Sequence, residues 1–304
     1  MYVLPVKAVT LRHLVPLVHY SGPHPTAPLK DGAHAGFTVA VALHLGIHTA
    51  TKGTVTVAGA WSSAVATVPV DFSSPSDVVV RVNLTASAKD VELWWPVGVG
   101  AHRLYNVTGS FTPDGGTAAH SSASMVAASR LIGFRHVTMT TANDTDRAVV
   151  AAGGDGSAHP TFTTFFRVNG ARIYARGGNM VPMDELEARV SDRALRQLIY
   201  SAAAANMNAI RIWGGGIYYP ESFYSAADEQ GVLIYHDLIY AQEGHSACCP
   251  WYGPCWYGRC TLPEAQSPPF GGDWSTFGNA TSCSCDTAAG RTQEAEIRHQ
   301  VRTN

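Results

Sequence analysis

From Gly36 onward the hydrophobic positions of this chain recur with a period of two. Phe37, Val39, Val41, Leu43 and Leu45 fall on one face of an extended segment, and Val55 and Val57 begin another short strand. Val78, Val80, Val82 and Leu84 share a face in a third, Tyr105, Val107 and Phe111 in a fourth, and Leu131 to Met139 form a fifth. Period-two runs separated by Gly, Ser and Pro predict an antiparallel β-sandwich over residues 36–150. Residues 1–35 are rich in Pro and His and read as irregular, with one edge strand inside Val3 to Leu17.

Past residue 160 the period changes. Residues 151–160 are Gly- and Ala-rich and read as a linker. Phe165 to Val168 and Ala171 to Tyr174 flank Asn169-Gly170, a pair that favours a type I′ hairpin turn because both residues tolerate positive φ. A strand continues through Ala175 to Asp184. A helix is expected over Ser191 to Asn206, capped by Ser191, with Leu195, Leu198, Ile199 and Ala202 on one side. Asn208 to Trp213 is then a β-branched run that ends at Gly214-Gly215-Gly216. Pro220 to Glu229 has helical spacing, with Phe223, Ala226 and Ala227 together. Gly231 supplies a stop, and Val232 to Tyr235 is a second buried run. Strand, loop, helix, strand is the βαβ unit of a parallel sheet. The fold class is therefore multidomain, β followed by α/β, and residues 292–303 open one more helix.

Composition narrows the function classes. Apolar residues at 46% and charged residues at 14% fit a packed globular chain, and a net charge of -2 gives no electrostatic footprint for nucleic acid or an anionic membrane. No apolar run approaches the roughly 20 residues that span a bilayer, and the N-terminus lacks the continuous apolar core of a signal peptide. All six cysteines lie between Cys248 and Cys285 without a Cys-x-x-Cys pair, so residues 243–290 read as a disulfide-stapled insertion rather than a zinc site. Four glycosylation sequons stand at Asn83, Asn106, Asn143 and Asn279. Asn83 and Asn106 have the opposite phase to their apolar neighbours and should point outward. Sequons with clustered cysteines favour the secretory pathway, lysosomal or secreted; the alternative is a cytosolic protein with free thiols.

The polar chemistry gathers at strand ends. Arg211 and Trp213 sit where one strand exits, and His236 and Asp237 where the next does. Ligand chemistry collects at the C-terminal ends of parallel strands, and a cation, an aromatic and a carboxylate suit a polar ligand such as a sugar. Asp184 and Asp237 are the two strand-end carboxylates that glycoside hydrolysis would call for, or else rim ion pairs and loop caps. Asn179 is polar lining or a turn residue. His44 and His48 are four apart but lie in a strand pattern, so no metal site is expected. Trp251, Tyr252, Trp256, Tyr257 and Trp274 form either a sugar platform or packing within the insertion.

The stretch Arg211-Ile212-Trp213-Gly214-Gly215-Gly216-Ile217-Tyr218, followed by Phe223-Tyr224, Asp228-Glu229, Gly231 and Tyr235-His236-Asp237, resembles the β-mannosidases of the family-two glycoside hydrolases. So does Trp94-Trp95-Pro96 with Gly98, Gly100 and Tyr105-Asn106, which is similar to that family's immunoglobulin-like domain. The resemblance implies an immunoglobulin-like sandwich followed by the first part of a (β/α)8 TIM barrel, residues 161–304, carrying the Cys-rich insertion. It implies retaining hydrolysis of terminal β-mannose from oligosaccharides, without cofactor or metal. Asn179, Asp184, Arg211, Trp213 and Asp237 would then be substrate-binding, with Arg211 beneath the nucleophile. The family's catalytic carboxylates are two Glu, the acid/base following an Asn, and no Asn-Glu dipeptide occurs in these 304 residues. The resemblance therefore implies that the chain alone is inactive. It departs from the family at Gly177-Gly178-Asn179-Met180, where an aromatic is lost, and at His236, where the family has Gln. Another family-two glycosidase, of β-galactosidase or β-glucuronidase type, and a non-catalytic carbohydrate-binding or adhesion protein are the alternatives.

Overall fold

The computed structural model describes residues 8–62, 64–114, 125–140 and 165–239. The linker at 151–160, the insertion at 243–290, the helix at 292–303 and the sequons at Asn143 and Asn279 lie outside the described residues.

Two antiparallel sheets face each other in the first half. One has the order β1 (Val9–Tyr20), β2 (Phe37–Ile47), β5 (Ser76–Ala86). The other has β4 (Val65–Phe72), β3 (Thr51–Gly59), β6 (Tyr105–Pro113), β7 (Val126–Ile132). The alternation of β2 is strict: Phe37, Val39, Val41, Leu43 and Leu45 are each at most 1% exposed, against Val55, Val57, Val107 and Phe111 of the opposing sheet. Each such side chain contributes roughly 1.5–3 kcal/mol by leaving water. Asn83 and Asn106 are exposed on the outward phase, as their neighbours' periodicity requires, and the Asn106 amide donates to Thr108 Oγ1 at 3.3 Å.

One reading of the sequence is extended and one changes. The edge strand expected inside Val3 to Leu17 is β1, which runs on to Tyr20 and pairs with β2 along its length. A bulge at Arg12 hides the period: Leu11 faces Leu45 and His13 faces His44, so two successive residues share the outer face. The expected strand over Leu131 to Met139 is two strands. Gly133 ends β7, Phe134 turns into the core, and β8 (Val137–Thr140) joins β9 (Phe165–Val168) and β10 (Ala171–Ile173) in a separate sheet.

The β9–β10 turn is the expected one, with Asn169 at φ 48° and Gly170 at φ 80°. Asn169 is fully buried and does more than turn the chain. Its amide donates to the Trp94 carbonyl at 2.9 Å, and its Oδ1 accepts from the His136 N–H at 2.8 Å.

The second half is a parallel sheet, β11 (Gly177–Met180), β12 (Ala209–Ile212) and β13 (Leu233–His236), with α1 (Asp192–Ala204) and α2 (Glu221–Gln230) on one face. Ser191 caps α1 by accepting from the Ala194 N–H at 3.2 Å, and Leu195, Ile199 and Ala202 are buried. Gly231 ends α2 at φ 72°. Gly177 admits no side chain: a Cβ there would lie 1.6 Å from the Ala209 carbonyl oxygen of β12. Buried Asn208 fixes the entry to the sheet, accepting from the Arg176 N–H at 2.8 Å and donating to the Tyr174 carbonyl at 3.1 Å.

The two halves meet at α2. Trp94, fully buried, donates its indole N–H to the Asp228 carbonyl at 2.8 Å. Arg135 lies 4.1 Å above the Trp94 ring and pairs with the Asp228 carboxylate at 2.7 Å. Val97 N–H donates to the Gly231 carbonyl at 2.9 Å, and Arg130 pairs with Glu221 at 2.8 Å.

Candidate functional site

Parallel pairing aligns Asn179 with Arg211 and Arg211 with Tyr235, so the three share a row across β11, β12 and β13. Side chains alternate between sheet faces. Ile210 and Ile212 are buried against the helices, and Arg211 takes the other face. Asp237, two residues past Tyr235, returns to the Arg211 face.

The side chains meet there. Arg211 donates from Nε to Asp237 Oδ1 at 3.2 Å, from Nη2 to Oδ2 at 2.5 Å, and from Nη1 to Asn179 Oδ1 at 3.1 Å. This is a two-toothed guanidinium–carboxylate fork, the geometry in which such pairs are strongest. Asp237 Oδ2 also accepts the Gly214 N–H at 3.1 Å, and the Asp237 N–H donates to the Ile212 carbonyl at 3.1 Å. One carboxylate thus ties the glycine turn to the strand ends. Trp213, half-buried, begins that turn, its N–H donating to the Met180 carbonyl at 3.1 Å. The fork is open on one side, with Arg211 40% and Asp237 23% exposed. A carboxylate that accepts and a guanidinium that donates suit the hydroxyls of a polyol.

Asp184 is bonded elsewhere. Its Oδ1 accepts the Leu186 N–H at 2.9 Å and its Oδ2 pairs with Arg189 at 3.2 Å, across the 3-10 turn Glu187–Arg189. These are the contacts of a loop cap, and neither goes to the Arg211–Asp237 fork.

Nothing along the chain announces what surrounds His236. Its ring stacks on Tyr218 at 5.2 Å and on Tyr224 at 6.1 Å, with interplanar angles of 26° and 25°. Nδ1 lies 2.6 Å from the Asp237 carbonyl oxygen, which only accepts, so Nδ1 carries the proton and donates. Nε2 of the neutral ring then accepts from the Tyr224 hydroxyl at 3.0 Å, and that hydroxyl accepts the Tyr219 N–H at 3.3 Å. Burial pushes the Tyr224 phenol up to about 12, so it keeps its proton, and burial lowers His236 against the opposing pull of Asp237.

His34 and His136 are lowered by burial as well. Asp31 opposes the shift at His34, and His24 reinforces it at His136. In the unfolded chain all three histidines titrate near about 6.5. Below that pH the unfolded state binds protons that the folded state does not yet take up, so stability falls as pH drops from about 6.5 toward the lowered folded values. Thermal unfolding between pH 8 and pH 5 is expected to show a plateau above about 6.5 and a falling midpoint below it. A midpoint that is flat or rises on acidification would contradict this, and His136→Gln should flatten the fall.

No protein-family model matches the sequence. Curated relatives do. Goat β-mannosidase is 36% identical over 151 residues, which is 50% of this chain and 15% of that enzyme. β-Mannosidase A of Aspergillus aculeatus is 37% identical over 159 residues, 51% of this chain and 16% of that enzyme. Over about half of its length this chain is similar in sequence to β-mannosidases. In fold this β-mannosidase-like chain superposes on the β-D-mannosidase of Dictyoglomus thermophilum with a TM-score of 0.55 at 21% identity, over 77% of this chain and 25% of that one. The β-glucuronidase of Bacteroides uniformis gives a TM-score of 0.53 at 12% identity, over 75% and 24%. The β-mannosidase-like stretch therefore spans well under two thirds of the length of the relatives it matches. Among the described residues no helix is long and apolar enough to cross a membrane, and no group of three or more His, Cys, Asp or Glu could hold a metal ion.

Proposed function

We propose that these residues belong to a retaining β-mannosidase that removes terminal β-D-mannose from oligosaccharides or glycoproteins. The observation that carries this reading is the fork of Arg211 on Asp237 and Asn179 at the C-terminal rim of a parallel sheet, in a chain of which 151 residues are 36% identical to a β-mannosidase. In this reading Arg211, Asp237 and Asn179 bind sugar hydroxyls, directly or by holding one another, and Trp213 provides an apolar wall. Asp184 shapes the loop beside them. Residues 36–150 are an immunoglobulin-like sandwich to which β1 adds a strand. Residues 161–304 are the opening part of a (β/α)8 barrel with a Cys-rich insertion at 243–290.

The acid/base and nucleophile are assigned to none of these residues, so residues 1–304 alone are expected not to hydrolyse β-mannosides. A lysosomal or secreted location and glycans at Asn83, Asn106, Asn143 and Asn279 complete the proposal; enzymatic deglycosylation of secreted protein would lower its mass if they are present. The test of activity is a panel of p-nitrophenyl β-mannoside, β-galactoside and β-glucuronide, given to the longest gene product containing these residues. Mannoside cleavage is the expected result. Preference for galactoside or glucuronide would move the chain to another family-two activity, and sugar binding without cleavage would make it a binding protein.

A further inference from the structure

His236 lies on the helix-facing side of the sheet and never touches the open rim, yet it is the residue next to Asp237. Its ring is gripped by four contacts: a stack on Tyr218, a stack on Tyr224, and a hydrogen bond at each of its two nitrogens. The bond from Nδ1 to the Asp237 carbonyl fixes the peptide that leaves Asp237. The Tyr218 hydroxyl accepts the Ile239 N–H at 3.4 Å, two residues further along the same segment. Strand pairing holds the other side, through the Asp237 N–H on Ile212. The backbone of Asp237 is therefore held from both directions, and its carboxylate can meet Arg211 and Gly214 without searching.

We propose that His236, clamped by Tyr218 and Tyr224, is a positioning residue that sets the Asp237 carboxylate on Arg211 and the Gly214 N–H, and through them shapes the subsite for a sugar hydroxyl. The chemical requirement is one donor and one acceptor at opposite ends of a flat group. A neutral imidazole meets it, since Nδ1–H donates to Asp237 and Nε2 accepts from Tyr224. A glutamine amide also has both, whereas phenylalanine keeps the flat stack and has neither. The sugar-binding half of the proposal rests on the β-mannosidase reading; the positioning half rests on the hydrogen bonds alone.

The experiment uses the 304-residue chain and three variants, His236→Phe, His236→Gln and His236→Ala. Amide exchange at Gly214, whose N–H is bonded to Asp237 Oδ2, reports on the carboxylate's position. Losing one such bond is worth about a tenfold change in an opening equilibrium. His236→Phe and His236→Ala are expected to speed Gly214 exchange about tenfold, and His236→Gln to restore it to within about threefold of the parent. Amides of Leu195 and Ile199 in α1 control for the fold and should not change. Nitrogen shifts of His236 should show Nδ1 protonated at neutral pH. Unchanged Gly214 exchange in His236→Phe, or a glutamine that fails to rescue while α1 stays protected, overturns the proposal. If α1 loses protection in His236→Phe, the Gln variant and the tautomer decide. A second arm titrates methyl β-D-mannoside into the longest gene product: a weaker affinity in His236→Phe, regained in His236→Gln, supports the subsite. If that parent protein binds no mannoside while Gly214 responds as expected, the mannosidase reading fails and the positioning role stands.

Discussion

Trp94→Ala is expected to destabilise the chain by about 3–5 kcal/mol, the range for truncating a fully buried large aromatic. The cost has three sources. The indole fills space between the sandwich and α2. Its N–H is the partner of the Asp228 carbonyl at the last turn of the helix. Arg135 rests on its face while pairing with the Asp228 carboxylate, so the guanidinium loses its support as well. Trp94→Phe should recover most of the packing but leave the Asp228 carbonyl without that donor, at a cost of about 1–3 kcal/mol. Urea unfolding of the two variants checks both figures. A loss under about 1 kcal/mol for Trp94→Ala would mean that the halves do not depend on this contact.

Asp237→Ala is expected to lower kcat/KM for β-mannosides by about a hundredfold or more in the longest gene product, the scale of effect seen when a positioning group is lost. Three hydrogen bonds vanish together, two from Arg211 and one from Gly214. Arg211 keeps Asn179 alone, on one edge of the guanidinium, and is free to swing. The Gly214 turn loses its tie to β13, and Trp213 moves with it. Asp237→Asn preserves shape and one acceptor, so it should fall between the two. Steady-state kinetics on both variants decide the matter. Activity within threefold of the parent in Asp237→Ala would remove this fork from the sugar site. The stability change should be small by comparison, because both partners are partly in water and exposed pairs contribute about 0–1 kcal/mol.

Local signals were readable wherever one or two residues decide the backbone. Asn169-Gly170 fixes the hairpin through positive φ, Ser191 caps α1 through its own side chain, and Gly231 ends α2. The convergence of Arg211 with Asp237 was readable too, because parallel strand–helix units bring successive strand ends to one rim. What escaped the sequence needed a second element. The extent of β1 was obscured, because the bulge at Arg12 breaks its alternation and only pairing with β2 carries it on to Tyr20. Leu131 to Met139 has the composition of one strand, and the break comes from Phe134 turning into the core beside Trp94. Trp94 itself reads as a sandwich residue, since nothing local announces α2 as its other neighbour. Asp184 and Asp237 look equivalent along the chain; Arg189, five residues past Asp184, separates their roles. The His236 stack depends on how α2 is rotated over β13, and no spacing in the sequence encodes that rotation.

The grip of Trp94, Arg135 and Val97 falls on the last turn of α2 and on Gly231, only a few residues before β13 delivers Asp237. A sandwich fastened at that point cannot be a passive spacer, because any tilt of it pulls on the segment that carries the carboxylate. Variation in the β-sheet half, far from Arg211 and Asp237 themselves, should therefore surface as altered geometry of that fork.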